Sequence, residues 1–119
     1  MPRDLNQCLF TGNLSTDVRL FETLDKRPGA EFTLAVNDYW KDGSGNPNER
    51  TDFIGIVCYG DVTASARALQ RGDRIVVTGK MRNEKIPKAD GKIESKTKLR
   101  ALTLATQREI KPNRPQSQP

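Results

Sequence analysis

Histidine is absent from the 119 residues, and cysteine occurs only twice. The first absence removes the commonest general acid and base. Cys8 and Cys58 sit inside apolar strand patterns, without the close spacing or partners of a zinc site, and read as buried small hydrophobes rather than as a disulfide. No Gly-rich loop leads into Lys-Ser or Lys-Thr, no Ser or Cys occupies a nucleophile motif, and the acids are scattered rather than paired. These gaps argue against an enzyme, and no cofactor or metal is expected. The opening Met1–Gln7 is polar and no apolar run approaches membrane-spanning length, so neither a signal peptide nor a membrane segment is read, and a cytosolic protein is expected. Apolar residues are also scarce, at 34% with seven aromatics, enough for one small core. A lone domain of this kind is marginally stable, and burial between subunits would offset that, so a homo-oligomer is expected.

Positive charge is present and unevenly placed. Lys80 to Arg100 holds eight basic residues against three acids, which accounts for the whole net charge of +5. A field concentrated on one element is the footprint of a polyanion binder, although a solvated hairpin would carry the same charges.

The patterning is that of strands. Gln7–Gly12 reads as a strand that bends at Asn13 into a second extended run, Val18–Thr23, before a turn at Asp25–Gly29. In Ala30–Asn37 the residues Ala30, Phe32, Leu34 and Val36 alternate onto a core face. Lys41–Asn48 collects Gly, Pro, Asn and Asp and reads as a loop. Arg50–Tyr59 has Ile54, Ile56 and Cys58 on one side and Phe53, Gly55, Val57 and Tyr59 on the other, with Gly55 permitting a bend or a close approach. Val62–Leu69 is the one helical stretch. Arg74–Arg82 and Ile93–Thr106 form a basic hairpin turning at Pro87–Gly91. This order, β-β-β-α-β-β with a long bent first strand, is that of an all-β, five-stranded Greek-key barrel with one short helix, the OB-fold. The domain is placed at residues 1–107 and a flexible tail at 108–119, where KPNRPQSQP cannot build a core.

Aromatics beside positive charge are the remaining signal. Trp40 is followed by Lys41, and Phe53 and Tyr59 share the polar-side register of their strand. Rings so placed stack on any nucleobase while Lys and Arg neutralise phosphates. Phe10, Phe21 and Phe32 lie in apolar patterns and are assigned to packing.

Asn6-Gln7-Cys8-Leu9-Phe10-Thr11-Gly12-Asn13-Leu14, Trp40-Lys41-Asp42, Glu49-Arg50-Thr51-Asp52-Phe53, Val57-Cys58-Tyr59-Gly60, Ala68-Leu69-Gln70-Arg71-Gly72-Asp73 and Val77-Thr78-Gly79-Lys80-Met81-Arg82 follow one another as in the bacterial single-stranded DNA-binding proteins. The resemblance runs from about Asn6 to about Thr106. It implies an OB-fold homotetramer, or a dimer, that holds single-stranded DNA without sequence preference in replication, recombination or repair, in the bacterial cytoplasm with the nucleoid. It assigns stacking to Trp40, Phe53 and Tyr59, and phosphate contacts to Lys41, Arg71, Arg82 and Lys85. The sequence departs from that pattern at Ile86, where another Trp is common, at Glu84, where a base is usual, and at Asp61, where Lys is common. It also ends in Pro115-Gln116-Ser117-Gln118-Pro119 rather than an acidic, Phe-terminated tip, so either the sequence stops short of the natural end or repair enzymes are not recruited through the tail. Two other roles fit the same fold: a primosomal or mobile-element OB protein acting through protein partners, and a binder of single-stranded RNA.

Overall fold

The computed structural model describes residues 2–87 and 90–106, with Ile86 and Pro87 described by backbone alone. The expected tail at 108–119 and part of the expected Pro87–Gly91 turn lie outside those residues. Six strands and one helix follow in the order β1 (Cys8–Leu14), β2 (Arg19–Glu22), β3 (Pro28–Lys41), β4 (Pro47–Tyr59), α1 (Val62–Arg67), β5 (Arg74–Pro87) and β6 (Ile93–Thr106).

The strands hydrogen-bond in the order β1-β5-β6-β4-β3-β2, and β1 also pairs with β3, so β1, β5, β6, β4 and β3 close into a five-stranded barrel. The expected OB-fold is what forms. Two junctions make the closure. At Asn13, β1 leaves β5, where it faces Arg74, and joins β3, where Asn13 faces Ala35 and Leu14 faces Leu34. The Asn13 amide fixes the crossing: its Nδ2 donates to the Gly72 carbonyl and its Oδ1 accepts from Arg74. The bend expected at Asn13 is thus the place where one strand serves two neighbours, and β2 is its outer continuation along β3. The second junction is a short parallel contact between β4 and β6, Ile56 facing Leu99 and Val57 facing Arg100.

Leu34, Ile56, Ile75, Val77 and Leu99 are buried at the centre, joined by Phe32 and Leu14. The alternation assigned to β3 and to Ile54, Ile56 and Cys58 is observed, with Ile54 only partly buried. Cys58 is a free thiol that burial pushes up to about 11, and Cys8 is free and half-buried. The helix is shorter than the expected Val62–Leu69, yet Ala66 and Leu69 are both buried against the barrel, so the apolar face was placed correctly while its last turn unwinds.

Opposite Gly79 the β5–β6 register shifts: Thr78 faces Thr103 but Gly79 faces Ala101, leaving Leu102 as the extra residue of a bulge. Bulges bend and twist a strand, which a small barrel needs to close. A Cβ on Gly79 would overlap the Arg100 carbonyl. Gly79→Ala should therefore destabilise the fold by about 2–4 kcal/mol, measured by urea unfolding at fixed protein concentration. Unchanged stability would mean that this close approach is not part of the closure.

Candidate nucleic-acid interface

Closure of the barrel sets β4 beside β6 with their outward-facing residues on one surface. From β4 come Phe53, Gly55, Val57 and Tyr59. Pairing across β5 and β6 puts Lys80 opposite Arg100, Arg82 opposite Lys98 and Glu84 opposite Lys96, and directly paired residues point to the same side of a sheet. Five cations thus line up beside the aromatic strand. Gly55 gives the close approach its sequence suggested, since the aliphatic stem of Lys98 passes 3.3 Å from where a Cβ would stand.

Two adjoining clefts open on this surface. One, of about 600 Å³, runs past Thr16, Phe53, Gly55 and Thr97. The other, of about 760 Å³, runs past Phe21, Val57, Tyr59, Glu84 and Lys85. Arg19, Glu31, Lys96 and Lys98 line both. Val57 points outward by alternation but is only 3% exposed, so it floors the second cleft rather than meeting solvent.

Charge inside the clefts is largely self-paired. The Glu31 carboxylate accepts from Lys98 Nζ at 3.1 Å and from Arg19 Nε at 2.7 Å, with Arg19 Nη2 also in contact. Burial alone would raise the Glu31 carboxyl, but these hydrogen bonds outweigh it and hold it below its ordinary value. Tyr59 is equally engaged. The Arg100 guanidinium lies 4.6 Å from the ring centroid, Phe21 meets the ring edge-on at 5.8 Å, and the phenol donates to Glu84 Oε1 at 2.9 Å. Burial first, and the hydrogen bond to Glu84 second, push the Tyr59 phenol above its ordinary value.

Of the seven residues assigned from sequence, Phe53, Tyr59 and Arg82 share this surface, and Phe53 is 65% exposed. Lys85 alternates to the other side of its strand yet borders the second cleft. Arg71 lines neither cleft and pairs with Asp17, which lines one end of the first, at 3.6 Å. Trp40 and Lys41 stand farther out, because β3 and β4 continue well beyond Asn37 and Arg50 as an exposed ribbon. The expected loop at Lys41–Asn48 is only a tight turn, in which Asp42 Oδ1 accepts from the backbone N–H groups of Ser44 and Asn46. Register along the ribbon is unbroken, so Trp40, opposite Asn48, emerges on the reverse side from Phe53, and Tyr39, 68% exposed, emerges on the Phe53 side. Residue reading missed Tyr39, Arg19 and Phe21 as parts of this surface. It held Lys80, Lys96, Lys98 and Arg100 only as members of a basic segment.

A sequence model described as the Single-strand binding protein family matches residues 5–107. The chain belongs to that family. Single-stranded DNA-binding protein 1 of Chlorobaculum tepidum is 33% identical over 82 residues, covering 68% of this chain and 51% of its own. The single-stranded DNA-binding protein of Thermus aquaticus is 30% identical over 102 residues, covering 86% of this chain and 38% of its own. The chain therefore spans about half of the first relative's length and 38% of the second's. Among solved structures, the Plasmodium falciparum SSB complex with ssDNA superposes with a TM-score of 0.75 at 21% identity over 89% of this chain and 97% of that one. A deletion mutant of the Thermus aquaticus protein gives 0.74 at 24% identity, covering 89% and 52% of the two chains. These likenesses show the same fold. Among the described residues no helix is long and apolar enough to cross a membrane, and no group of side chains is suited to hold a metal ion.

The Tyr59 environment has a spectroscopic consequence. Of the two tyrosines, one should ionise later than free tyrosine when followed by tyrosinate absorbance, and Tyr59→Phe should lack that late phase. The same late phase in the variant would contradict the Tyr59–Glu84 contact.

Proposed function

We propose that this chain binds single-stranded DNA without sequence preference, in replication, recombination or repair, and performs no catalysis of its own. The observation that carries this reading is the row of five cations on β5 and β6 beside the outward aromatics of β4. A single strand laid along the clefts stacks bases on Phe53 and Tyr59 and sets phosphates against Arg82, Lys96 and Lys98. Stacking is worth about 1–3 kcal/mol per base and is indifferent to sequence, because every base has a π face. Tyr39 and Lys41 extend the path along the Phe53 side of the exposed ribbon, and the strand turns round the ribbon to reach Trp40 on its reverse side. Lys85 borders the path at the β5–β6 hairpin, and Arg71 receives a phosphate at its far end after leaving Asp17.

Ion pairing within the clefts sets the electrostatic terms. Arg19 and Lys98 are held by Glu31 in the free protein, so a phosphate that takes either one must displace a carboxylate. Binding is therefore weaker than the count of cations alone would give.

A homo-oligomer is proposed as well, a tetramer by family resemblance and a dimer as the alternative. Leu9, 66% exposed, and Leu102, 57% exposed, mark the end of the barrel surface next along the ladder from Lys80 and Arg100, where Leu9 faces Thr78 and where the bulge turns Leu102 outward. Self-association there leaves the clefts open. We place the protein in the bacterial cytoplasm with the nucleoid.

The test is a titration with unstructured oligo(dT), followed by the fluorescence of Trp40, the only Trp in the chain, across a salt series. Quenching is expected, with affinity falling as salt rises and duplex DNA competing poorly. Glu31→Gln, which frees Arg19 and Lys98, should tighten binding and steepen the logarithmic salt slope by about 0.7 to 1.4, for one or two more phosphates neutralised. No binding in fluorescence or in an independent anisotropy assay would overturn the proposal. Weaker binding by Glu31→Gln would contradict the competition between carboxylate and phosphate.

A further inference from the structure

Stacking alone treats the bases alike, so any discrimination at Tyr59 has to come from groups at the rim of its ring. There the second cleft is unusual for a site that accepts a polyanion, because the atom at the phenol tip belongs to a carboxylate. The phenol proton is committed to Glu84 Oε1, which leaves the Tyr59 oxygen with lone pairs only. An ionised carboxylate is acceptor-only, with about four lone-pair directions on its two oxygens. Among the described residues Tyr59 takes one of these and no second partner of Glu84 occurs. Lys96, directly across the β5–β6 ladder, turns its amine toward Glu94, at 3.9 Å. Arg100 lies over the Tyr59 ring and outside the lining of the cleft. The rim at Glu84 and Tyr59 is therefore a set of acceptors beside an apolar floor of Val57 and Phe21, and hydrogen bonds are stronger where water is displaced by such a floor.

We propose that Glu84 makes this cleft a base-reading subsite that favours nucleobases presenting adjacent N–H donors, guanine first, over thymine. The inference rests on the single-strand reading above and adds a local preference to binding that is otherwise sequence-tolerant. Guanine carries a ring N–H and an exocyclic amino group side by side, which matches the two oxygens of a carboxylate. Cytosine and adenine offer an amino group alone, the contact by which Glu and Asp read cytosine in duplexes. Thymine sets one N–H between two carbonyl oxygens, and those oxygens face the carboxylate charge. Lys85, Lys96 and Lys98 keep the neighbourhood cationic, so the strand is still held there despite Glu84.

The experiment compares competitors of equal length against labelled oligo(dT) in lithium buffer, which suppresses guanine quadruplexes. They are oligo(dT), alternating thymine–guanine, and alternating thymine–hypoxanthine, which lacks only the exocyclic amino group. Alternating sequences make the result independent of the register in which the strand lies. The wild type should prefer the guanine polymer to the hypoxanthine one on the order of fivefold. In Glu84→Gln, whose amide oxygen still accepts from Tyr59 and whose melting curve checks the fold, that ratio should fall to about one while oligo(dT) binding tightens. Tyr59→Phe, which releases Glu84, should keep the preference. A ratio near one in the wild type, or an equal ratio in wild type and Glu84→Gln, would overturn the base-reading role and leave single-strand binding standing. Failure of the wild type to bind any of the three would overturn both.

Discussion

The short parallel contact between β4 and β6 is the constraint on which the rest depends. Only two residue pairs make it, Ile56 with Leu99 and Val57 with Arg100. On the inner side it sets Ile56 against Leu99, both fully buried, at the centre of the core. On the outer side the same register sets Tyr59 under the Arg100 guanidinium and Gly55 under the Lys98 stem. Packing and surface chemistry are thus fixed by one register. A slip by one residue would turn Leu99 outward and the cations of β6 into the core, because side chains alternate with period two.

The surface so built is balanced rather than uniformly positive. Glu31 binds two cations and Glu84 binds the phenol of the ring proposed to stack. Each carboxylate stands where an incoming strand must compete with it, and each does something different. Glu31 holds long, flexible cations in place before ligand arrives, at the cost of affinity. Glu84 orients Tyr59 and presents acceptors at its rim. On the proposed reading Glu31 acts on binding strength alone, whereas Glu84 acts on base preference as well as strength.

Much of this was legible in the sequence, for identifiable reasons. Strict alternation in Ala30–Asn37 and Arg50–Tyr59 separated core from surface, and the charge of Lys80–Arg100 located the cationic element. The ribbon's far end, Lys41 with Pro47 and Asn48, was read as part of a loop because Lys41–Asn48 collects Gly, Pro, Asn and Asp and carries no apolar alternation; its turn is only the Asp42 cap and its neighbours. Within the basic segment, Lys98 could not be told from Lys85 without the ladder that sets their facing. The contacts that define the clefts, Tyr59 with Glu84 and Arg100, and Glu31 with Lys98, join residues distant in the chain and follow from closure, not from any local pattern. Phe21 was assigned to packing, and it does pack, but against Tyr59 in the lining of a cleft instead of in the core.

The central claim is that single strands run over the outer face of β4, β5 and β6 and not over the Leu9 and Leu102 flank. The most direct measurement is photocrosslinking with an oligonucleotide carrying 5-iodouracil, a base that couples to aromatic rings stacked on it, followed by peptide mapping. Crosslinks at Phe53 and Tyr59, with Trp40 or Tyr39 at the ribbon, are predicted. Crosslinks confined to β1 and to the Leu102 end of β6 would contradict the account.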